Sequence, residues 1–249
     1  MTGLSPLDSQ WFALDELANQ AFWENFGGTP SFQGASVLDV GCARGSLCFQ
    51  MALLGAARTI GADINPVFIE FARATLRERY PRLLDCVSFD VGDLSRYADN
   101  TFDYIISKDT FEHIVNLGEM VAEMKRCLKP GGRIYTGYGP LYNAPNGPHG
   151  FFGVLPWGHV FLPERLLVAL VNRKRSDKIT CLRDLGVVNQ MSFAEHRAVL
   201  WGAGLKVKYF EVNRSRHALS RAFVFLRRIP FLEEYFTHNI YCILEKESA

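Results

Sequence analysis

Three aspartates in the sequence each follow a short apolar run, and the first stands beside a glycine-rich turn. The segment VLDVGCARG contains Asp39 near the end of its apolar run, with Gly41 and Gly45 in the turn before a helical pattern. Asp63 in GADIN and Asp93 in FDVGDL follow the next two apolar runs. Glycine permits a sharp turn and close approach to a ligand, and carboxylates accept hydrogen bonds from ligand ammonium and hydroxyl groups. This spacing indicates a ligand site at successive strand ends.

The turn does not fit the dinucleotide-binding pattern. G-x-G-x-x-G would require glycine at 43 and 46, where the chain has Ala43 and Ser46, and Asp39 would repel a pyrophosphate. The helix that begins here favours a nearby negative group through its amides and macrodipole, and we expect a ligand carboxylate. Asp63, about 20 residues after the turn, is suitably spaced to accept ribose hydroxyls. A nicotinamide dehydrogenase is therefore disfavoured.

Three histidines are candidates for a general base. His149 lies in NAPNGPHGFFG, His159 in LPWGHVFLP and His113 in TFEHI. Imidazole titrates near neutral pH and can take a proton from a hydroxyl group. We favour His149 for this role and expect hydrogen-bonded packing for His159 and a structural role for His113. Asp109 and Glu112 have no third ligand at a metal-binding spacing, so no essential metal is predicted.

The elements that must position these residues alternate regularly. Short β-branched runs alternate with helical patterns from residue 36 onward, which is typical of βαβ units and a mostly parallel sheet. Ligands of such sheets bind beyond the carboxyl ends of the strands, so the loops after Ser107 and Gly137 are expected beside the turn. The pattern predicts strands at 36–40, 58–63, 86–90, 103–107, 132–137, 205–212 and 239–246, and helices near 46–54, 66–79, 115–127 and 192–202.

Three segments fall outside this alternation. Residues 1–34 carry aromatic side chains at helical spacing and predict an N-terminal extension that packs on the domain or closes over a ligand. Residues 138–163 and 213–235 are predicted insertions that shape an acceptor site, and aromatic residues from Tyr138 to Trp157 are candidates for its apolar lining. No linker separates these segments, so residues 1–249 are predicted to form a single domain.

Composition excludes several classes of protein. With 48% hydrophobic and 21% charged residues among 249, the chain is a folded globular protein and not a disordered one. Its 27 basic and 26 acidic residues leave no excess charge that would attract nucleic acid or an anionic membrane. The six cysteines form no C-x-x-C pair, and no apolar run is long enough to span a membrane. We expect a cytoplasmic protein with reduced thiols, no nucleic-acid partner and no stable membrane insertion.

The motifs VLDVGCARG, GADIN, VGDL, FDYIISKDTFEHI and LKPGGRIY occur in order over residues 36–138 and resemble those of class I S-adenosylmethionine-dependent methyltransferases. The resemblance implies an α/β fold with a doubly wound, mostly parallel seven-stranded sheet and an antiparallel last strand. It also implies S-adenosyl-L-methionine as cofactor. The implied contacts are Asp39, Gly41, Ala43 and Gly45 for its amino-acid part, Asp63 with Ile64 for the ribose, Asp93 with Leu94 for the adenine, and backbone near Lys108 for its far side. The family usually has glycine where this chain has Ala43.

The activity implied by the resemblance is methyl transfer to a small-molecule acceptor. A hydroxyl acceptor must lose a proton, and the histidines favour such an oxygen nucleophile. Nitrogen or carbon methylation of a small metabolite and a non-catalytic cofactor-binding subunit remain alternatives. The segment SKDT replaces the N-P-P-Y-like tetrapeptide that would indicate a nucleobase or amide nitrogen. No pattern indicates the acceptor itself or an oligomeric state.

Overall fold

The computed structural model describes residues 6–145, 147, 156–173, 175–185, 188–214, 224–229 and 231–248. Its strands are β1 (Ser36–Val40), β2 (Arg58–Asp63), β3 (Val87–Val91), β4 (Phe102–Lys108), β5 (Leu128–Tyr138), β6 (Lys206–Val212) and β7 (Ile240–Glu245). Its helices are α1 (Pro6–Glu24), α2 (Ser46–Leu53), α3 (Pro66–Arg79), α4 (Leu117–Cys127), α5 (Gly158–Phe161), α6 (Glu164–Asn172), α7 (Phe193–Gly202) and α8 (Glu233–Phe236).

The strands form one seven-stranded sheet in the order β3-β2-β1-β4-β5-β7-β6. Strands β1 to β5 pair in parallel, and β7 is antiparallel to both of its neighbours, β5 and β6. Along β7, Ile240, Cys242 and Leu244 are fully buried, as expected for an interior strand. The predicted mostly parallel sheet with an antiparallel last strand is confirmed.

Helices cover both faces of the sheet, which explains why its central strands are apolar along their whole length. On β1, Leu38 belongs to the core cluster that α4 and α7 complete. Its neighbour Val37 points to the opposite face, in the cluster that contains side chains from α1 and α2. Successive side chains of a strand point to opposite faces, so a strand covered twice needs apolar residues in both positions.

The predicted N-terminal helical extension is present as α1, which packs across α2. Phe12 is fully buried against the rings of Phe49 and Phe71. Near the end of the helix, the Trp23 ring packs edge-on against Phe32. These contacts make α1 part of the core and fix its position beside the amino end of α2.

Strand β5 and helix α6 are the elements at which the structure departs most from the prediction. Strand β5 begins at Leu128, four residues before the predicted strand, because Pro130 and Gly131 resemble a turn although the chain is already paired with β4 at Leu128. Helix α6 was not predicted, since its exposed Leu166 and Leu170 obscure the buried stripe of Leu167 and Val171. Of the described helices, none is both long enough and apolar enough to cross a membrane.

Candidate functional site

Backbone hydrogen bonds fix the turn between β1 and α2 to the neighbouring strand. The amides of Gly41 and Cys42 donate to the carbonyl oxygen of Ala62, over 2.8 and 3.1 Å. The amide of Ala43 donates to Oδ2 of Asp63 over 2.9 Å. Ala43 has a φ of 45°, in the left-handed region that favours glycine, so alanine is tolerated there at a small conformational cost. The turn is therefore held rigidly at the carboxyl ends of β1 and β2.

Packing inside the protein requires both glycines of this turn. Gly41 has a φ of 74°, and a Cβ atom built there would lie 2.4 Å from the side chain of Thr110. Gly45 has a φ of 82°, and its added Cβ would lie 2.6 Å from the Phe89 ring. Its amide donates to the carbonyl oxygen of Cys42 over 2.8 Å. The glycines alone are therefore no evidence of a ligand, and that evidence must come from the surrounding side chains.

Asp39 is buried beneath the turn and lines its pocket. Its Oδ2 accepts a hydrogen bond from the Cys48 thiol on α2, over 3.3 Å. Burial raises the pKa of the Asp39 carboxyl to about 7, against the smaller opposing effects of this hydrogen bond and the Lys108 charge. The carboxyl group therefore stabilises the start of α2 and changes charge near neutral pH.

Asp63 connects the loops that follow β1 and β2. Its Oδ2 accepts from the Ala43 amide and its Oδ1 from the Asn65 amide, over 2.9 and 2.8 Å. Each carboxylate oxygen retains a second lone pair for a ligand hydroxyl. The next residue, Ile64, is 84% exposed and presents an apolar surface beside this carboxylate.

Asp93 and Leu94 face different environments after β3. Asp93 is exposed, and its Oδ1 accepts hydrogen bonds from the amide and the hydroxyl group of Ser95, over 3.0 and 2.6 Å. These bonds lower the pKa of its carboxyl group. Leu94 is buried in the core formed with α4. Asp93 thus presents a carboxylate at the surface after β3, and the buried side chain of Leu94 anchors it.

A pocket of about 400 Å³ opens beside the turn. It unites residues from three places in the sequence: helix α1, the turn with the start of α2, and the end of β4. Five of the predicted site residues line it together: Asp39, Gly41, Ala43, Lys108 and His113. The remaining lining residues are Trp11, Asp15, Asn19, Cys42, Arg44, Ser46, Leu47 and Asp109.

Side-chain hydrogen bonds link α1 to the other two walls of the pocket. The Lys108 ammonium donates to Oδ1 of Asn19 over 3.0 Å. The Asn19 amide group donates to the Ser46 hydroxyl over 3.3 Å. Asn19 is only 1% exposed, so both of its hydrogen bonds are shielded from water. One buried amide on α1 thus joins the end of β4 to the start of α2.

Two further carboxylates approach the pocket from opposite walls. Desolvation is the largest cause that raises the pKa of both Asp15 on α1 and Asp109 after β4, and the Lys108 charge opposes it in both. Asp109 has a φ of 49°, in the left-handed region, and its amide donates to the Gly137 carbonyl oxygen over 2.8 Å. Its side chain opens into the pocket although protein atoms surround it. The lining therefore combines several carboxylates with one central ammonium group.

The histidines occupy different environments. His113, for which a structural role was expected, is exposed and lines the pocket. A ring nitrogen of buried His159 hydrogen-bonds the carbonyl oxygen of Tyr142, and burial lowers the pKa of this imidazole. His149, the favoured base, lies outside the described residues.

The expected aromatic acceptor lining is only partly accessible to a ligand. Tyr138 is 1% exposed in the core, with its hydroxyl 3.3 Å from Nδ1 of His196. Trp157 packs edge-on against Phe236, and its indole NH donates to the Tyr235 carbonyl oxygen. Both of these rings pack within the protein. Phe151 and Phe152, like residues 215–223 of the second insertion, lie outside the described residues.

Sequence analysis allowed the N-terminal helix to close over a ligand but did not identify the residues that α1 contributes to the pocket. Asp15 and Asn19 are four residues apart and therefore lie on one helix face, next to buried Phe12 and Trp23. A polar pair at this spacing within an aromatic helix was the available signal. Asp109 was considered only as a metal ligand, and the described residues contain no cluster of three or more groups arranged to hold a metal ion.

Comparison with known proteins agrees with this geometry. Residues 31–144 match the model of a methyltransferase domain. The ubiquinone biosynthesis O-methyltransferase of Mesorhizobium japonicum is 35% identical over 105 residues, which cover 42% of this chain and 41% of that protein. Phosphoethanolamine N-methyltransferase 3 of Arabidopsis thaliana is 38% identical over 103 residues, 41% of this chain and 20% of that protein. The chain thus matches about two fifths or less of the length of these curated relatives.

The fold has clear counterparts among solved structures. Geranyl diphosphate C-methyltransferase from Streptomyces coelicolor A3(2), solved with Mg²⁺, geranyl diphosphate and S-adenosyl-L-homocysteine, superposes with a TM-score of 0.60 at 15% identity. The superposition covers 93% of this chain and 79% of that one. Sheet, turn and pocket define a class I methyltransferase fold. Residues 31–144 are similar to a methyltransferase domain, in agreement with the resemblance of the ordered motifs.

Proposed function

We propose that this protein transfers a methyl group from S-adenosyl-L-methionine to a small-molecule acceptor, with an oxygen atom as the nucleophile. The observation that carries the proposal is the pocket of about 400 Å³ at the ends of β1 and β4, which α1 covers. Its position beyond the carboxyl ends of the strands is where doubly wound sheets bind ligands. The matched methyltransferase domain includes the turn, the end of β4 and their loops.

The charges of the lining fit this cofactor. S-adenosyl-L-methionine carries a carboxylate, an ammonium group and a positively charged sulfur, so it needs both signs of charge in its site. The pocket presents carboxylates from Asp15, Asp39 and Asp109 together with the Lys108 ammonium. A pyrophosphate would instead meet a predominantly negative surface, which disfavours a nicotinamide dinucleotide.

In the proposed complex, the sequence-predicted residues keep their roles. Asp39, Gly41, Ala43 and Gly45 hold the amino-acid part, Asp63 with Ile64 the ribose, Asp93 with Leu94 the adenine, and the backbone near Lys108 the far side. When bound, the cofactor supplies an electrophilic methyl group for in-line displacement. Helix α1 excludes water, and the rigid turn positions the ligand, so the protein acts chiefly by alignment. Closure by α1 is part of this proposal.

We assign the proton-accepting role to His113. It is exposed at the pocket near Asp109, where an imidazole can accept a proton from a hydroxyl acceptor. A second cavity of about 850 Å³ is lined by α1 residues, Asn213, Arg214 and Tyr241, and we assign it to acceptor entry. His149 stays a prediction, and His159 is better suited to packing because it is buried and bonded to Tyr142.

A nitrogen acceptor is the second candidate. Asp15 and Asp109 line the same pocket, and the charge of Asp15 contributes to raising the pKa of Asp109, an arrangement that suits a cationic amine. A panel of matched phenol and amine acceptors separates the two candidates. Oxygen transfer predicts S-adenosylhomocysteine production with the phenols, lost in His113→Gln. Production with amines alone supports the second candidate.

Calorimetric titration with S-adenosyl-L-methionine and with NADH tests the cofactor assignment. We expect micromolar affinity for the former and none for the latter. Asp63→Ala should weaken cofactor binding at least about tenfold, because it removes a charged acceptor and loosens the turn. Asp85→Ala, at an exposed position away from the pocket, should leave affinity unchanged. Binding of NADH alone, or of neither ligand, contradicts the proposal. The cytoplasmic location, the single domain and the absence of a nucleic-acid partner stay predictions.

A further inference from the structure

Lys108 ends β4 and extends its side chain into the pocket. Within the part of the chain that the structure describes, its ammonium group donates one hydrogen bond, to Oδ1 of Asn19, over 3.0 Å. An ammonium group has three donors, so this bond leaves donors for a ligand. The half-buried Lys108 is thus held in the pocket by one neutral partner.

The backbone donors of the glycine turn already have partners. The amides of Gly41, Cys42, Ala43 and Gly45 all donate to acceptors of the protein itself. Besides Lys108, the lining contains one other Lys or Arg residue, Arg44. Its guanidinium forms an ion pair with Asp8 over 2.7 Å and lies 4.5 Å from the centre of the Phe68 ring. A ligand carboxylate therefore cannot rely on these groups.

The surrounding charges make a cation necessary for such a carboxylate. Asp15, Asp39 and Asp109 all line the pocket; burial raises the pKa of each, and the positive charge of Lys108 opposes that rise. Without Lys108, a negatively charged ligand group would meet these carboxylates and be repelled. With it, a zwitterionic ligand can place its negative end at Lys108 and its positive groups toward the aspartates.

From this geometry we infer that the Lys108 ammonium, held by Asn19 of α1, recognises the carboxylate of the cofactor's amino-acid part. The inference rests on the proposed function and refines it, because sequence analysis gave only the backbone near Lys108 a role. It adds a side-chain cation to the helix-terminus amides as a partner of that carboxylate. Since Asn19 also bonds Ser46, ligand binding at Lys108 is connected to the position of α1.

Three ligands test the assignment by calorimetry: S-adenosyl-L-methionine, S-adenosylhomocysteine and 5′-methylthioadenosine, which lacks the amino-acid part. Lys108→Met should weaken binding of the first two about 10- to 100-fold, the range for loss of a charge-assisted hydrogen bond. Affinity for 5′-methylthioadenosine should stay unchanged. Lys108→Arg should recover most of the lost affinity, since it keeps the charge. Lys108→Gln provides a second neutral variant, and thermal melting verifies that each variant is folded.

The comparison of ligands separates the possible failures. Equal weakening of all three ligands by Lys108→Met, or no weakening of any, overturns the assignment while the cofactor site itself stands. Asp93→Asn provides the opposite pattern, because an adenine contact should affect all three ligands by a similar factor. If the unaltered protein binds none of the three, the proposed function fails and the assignment fails with it.

Discussion

The glycine turn and helix α1 face each other across one pocket but are held in place by different interactions. The turn is fixed through backbone amides that donate to Ala62 and Asp63 on the neighbouring strand. Helix α1 is anchored by buried rings, and it reaches the pocket through side chains, chiefly Asn19 bonded to Lys108. The contacts with the Ala62 carbonyl oxygen are independent of side-chain identity, whereas contacts through the side chains of Asp63 and Asn19 change with a single substitution.

Because the turn and α1 are held differently, we expect them to control different properties of the site: the formation of the pocket and its selectivity. A shift of the turn must break contacts with β2, so the turn determines whether the pocket forms at all. Helix α1 can exchange its pocket-facing side chains without losing the rings that anchor it, so it determines what the pocket selects. Substitutions in the turn should therefore reduce stability and affinity together, and those on the pocket face of α1 should change affinity alone.

The largest expected effect tests the anchoring of α1. Trp23 is 1% exposed, packs against Phe32 and Tyr135, and donates from its indole NH to Gln50. Trp23→Ala leaves a cavity in the core, and we expect it to lower the free energy of unfolding by about 4 kcal/mol. Urea denaturation followed by circular dichroism measures this change.

Trp11 on the same helix is the matched control. It is 49% exposed and lines the pocket. Trp11→Ala should change the free energy of unfolding by less than about 0.5 kcal/mol and weaken ligand binding, as expected for a surface residue that contacts a ligand. A large loss of stability in Trp11→Ala would show that the pocket face of α1 also anchors the helix, and the contrast between the two walls would disappear.

An intermediate effect is expected in the turn. In Gly41→Ala, a φ of 74° is combined with a Cβ placed 2.4 Å from Thr110. We therefore expect the free energy of unfolding to fall by about 3 kcal/mol. Gly34 has a φ of 72° with no atom within 4 Å of an added Cβ. Gly34→Ala therefore measures backbone strain alone, and we expect it to lower the free energy of unfolding by about 1 kcal/mol. Equal losses in the two variants, measured by the same denaturation, would mean that Thr110 moves aside and that the turn is less rigid than described.

The smallest effect concerns Glu112, two residues beyond the Thr110 that packs on Gly41. Its Oε1 accepts from the Gly139 amide over 3.1 Å, and its Oε2 has no partner among the described residues. Burial, followed by the charge of Asp109, raises the pKa of this carboxyl group from 4.5 to about 8. Between these two pKa values, the folded protein keeps a proton on Glu112 that the unfolded chain loses. The contribution of Glu112 to the free energy of unfolding therefore declines as pH rises from about 4.5 to about 8.

Glu112→Gln keeps a neutral side chain at every pH. We expect this variant to be more stable than the unaltered protein at pH 8 by about 1 kcal/mol, with a shallower decline between pH 5 and 8. Melting curves across this range provide the measurement. Glu119→Gln, at an exposed position on α4, should leave the pH dependence unchanged. A decline as steep in Glu112→Gln as in the unaltered protein would show that Glu112 is ionised in the folded state.

The sequence predicted the sheet well because its strands are buried on both faces. Residues such as Val37 and Leu38 are apolar whichever face they serve, so strand β1 is visible without knowledge of its neighbours. Strand β5 was predicted too short for the opposite reason. Pro130 and Gly131 have local preferences for a turn, and only pairing with β4 extends the strand through them.

The site was predictable where residues near in sequence form it. Asp39, Gly41 and Ala43 belong to one short motif, and the structure places all three at the pocket. Asp15 and Asn19 were missed because their contribution depends on how α1 docks, which distant rings such as Phe49 and Phe71 determine. The place of His113 in the pocket lining was not predicted for the same reason, since its neighbours there come from other parts of the chain.

Strand β7 follows β6 in the chain yet lies between β5 and β6 in the sheet. The ion pair between Arg133 on β5 and Glu245 on β7 joins residues 112 positions apart. Such distant pairings form slowly because a long loop must close first. The order of assembly therefore differs from the order of synthesis: β1 to β5 can pair as they emerge, while β6 has no neighbour in the finished sheet until β7 arrives to join it to the rest.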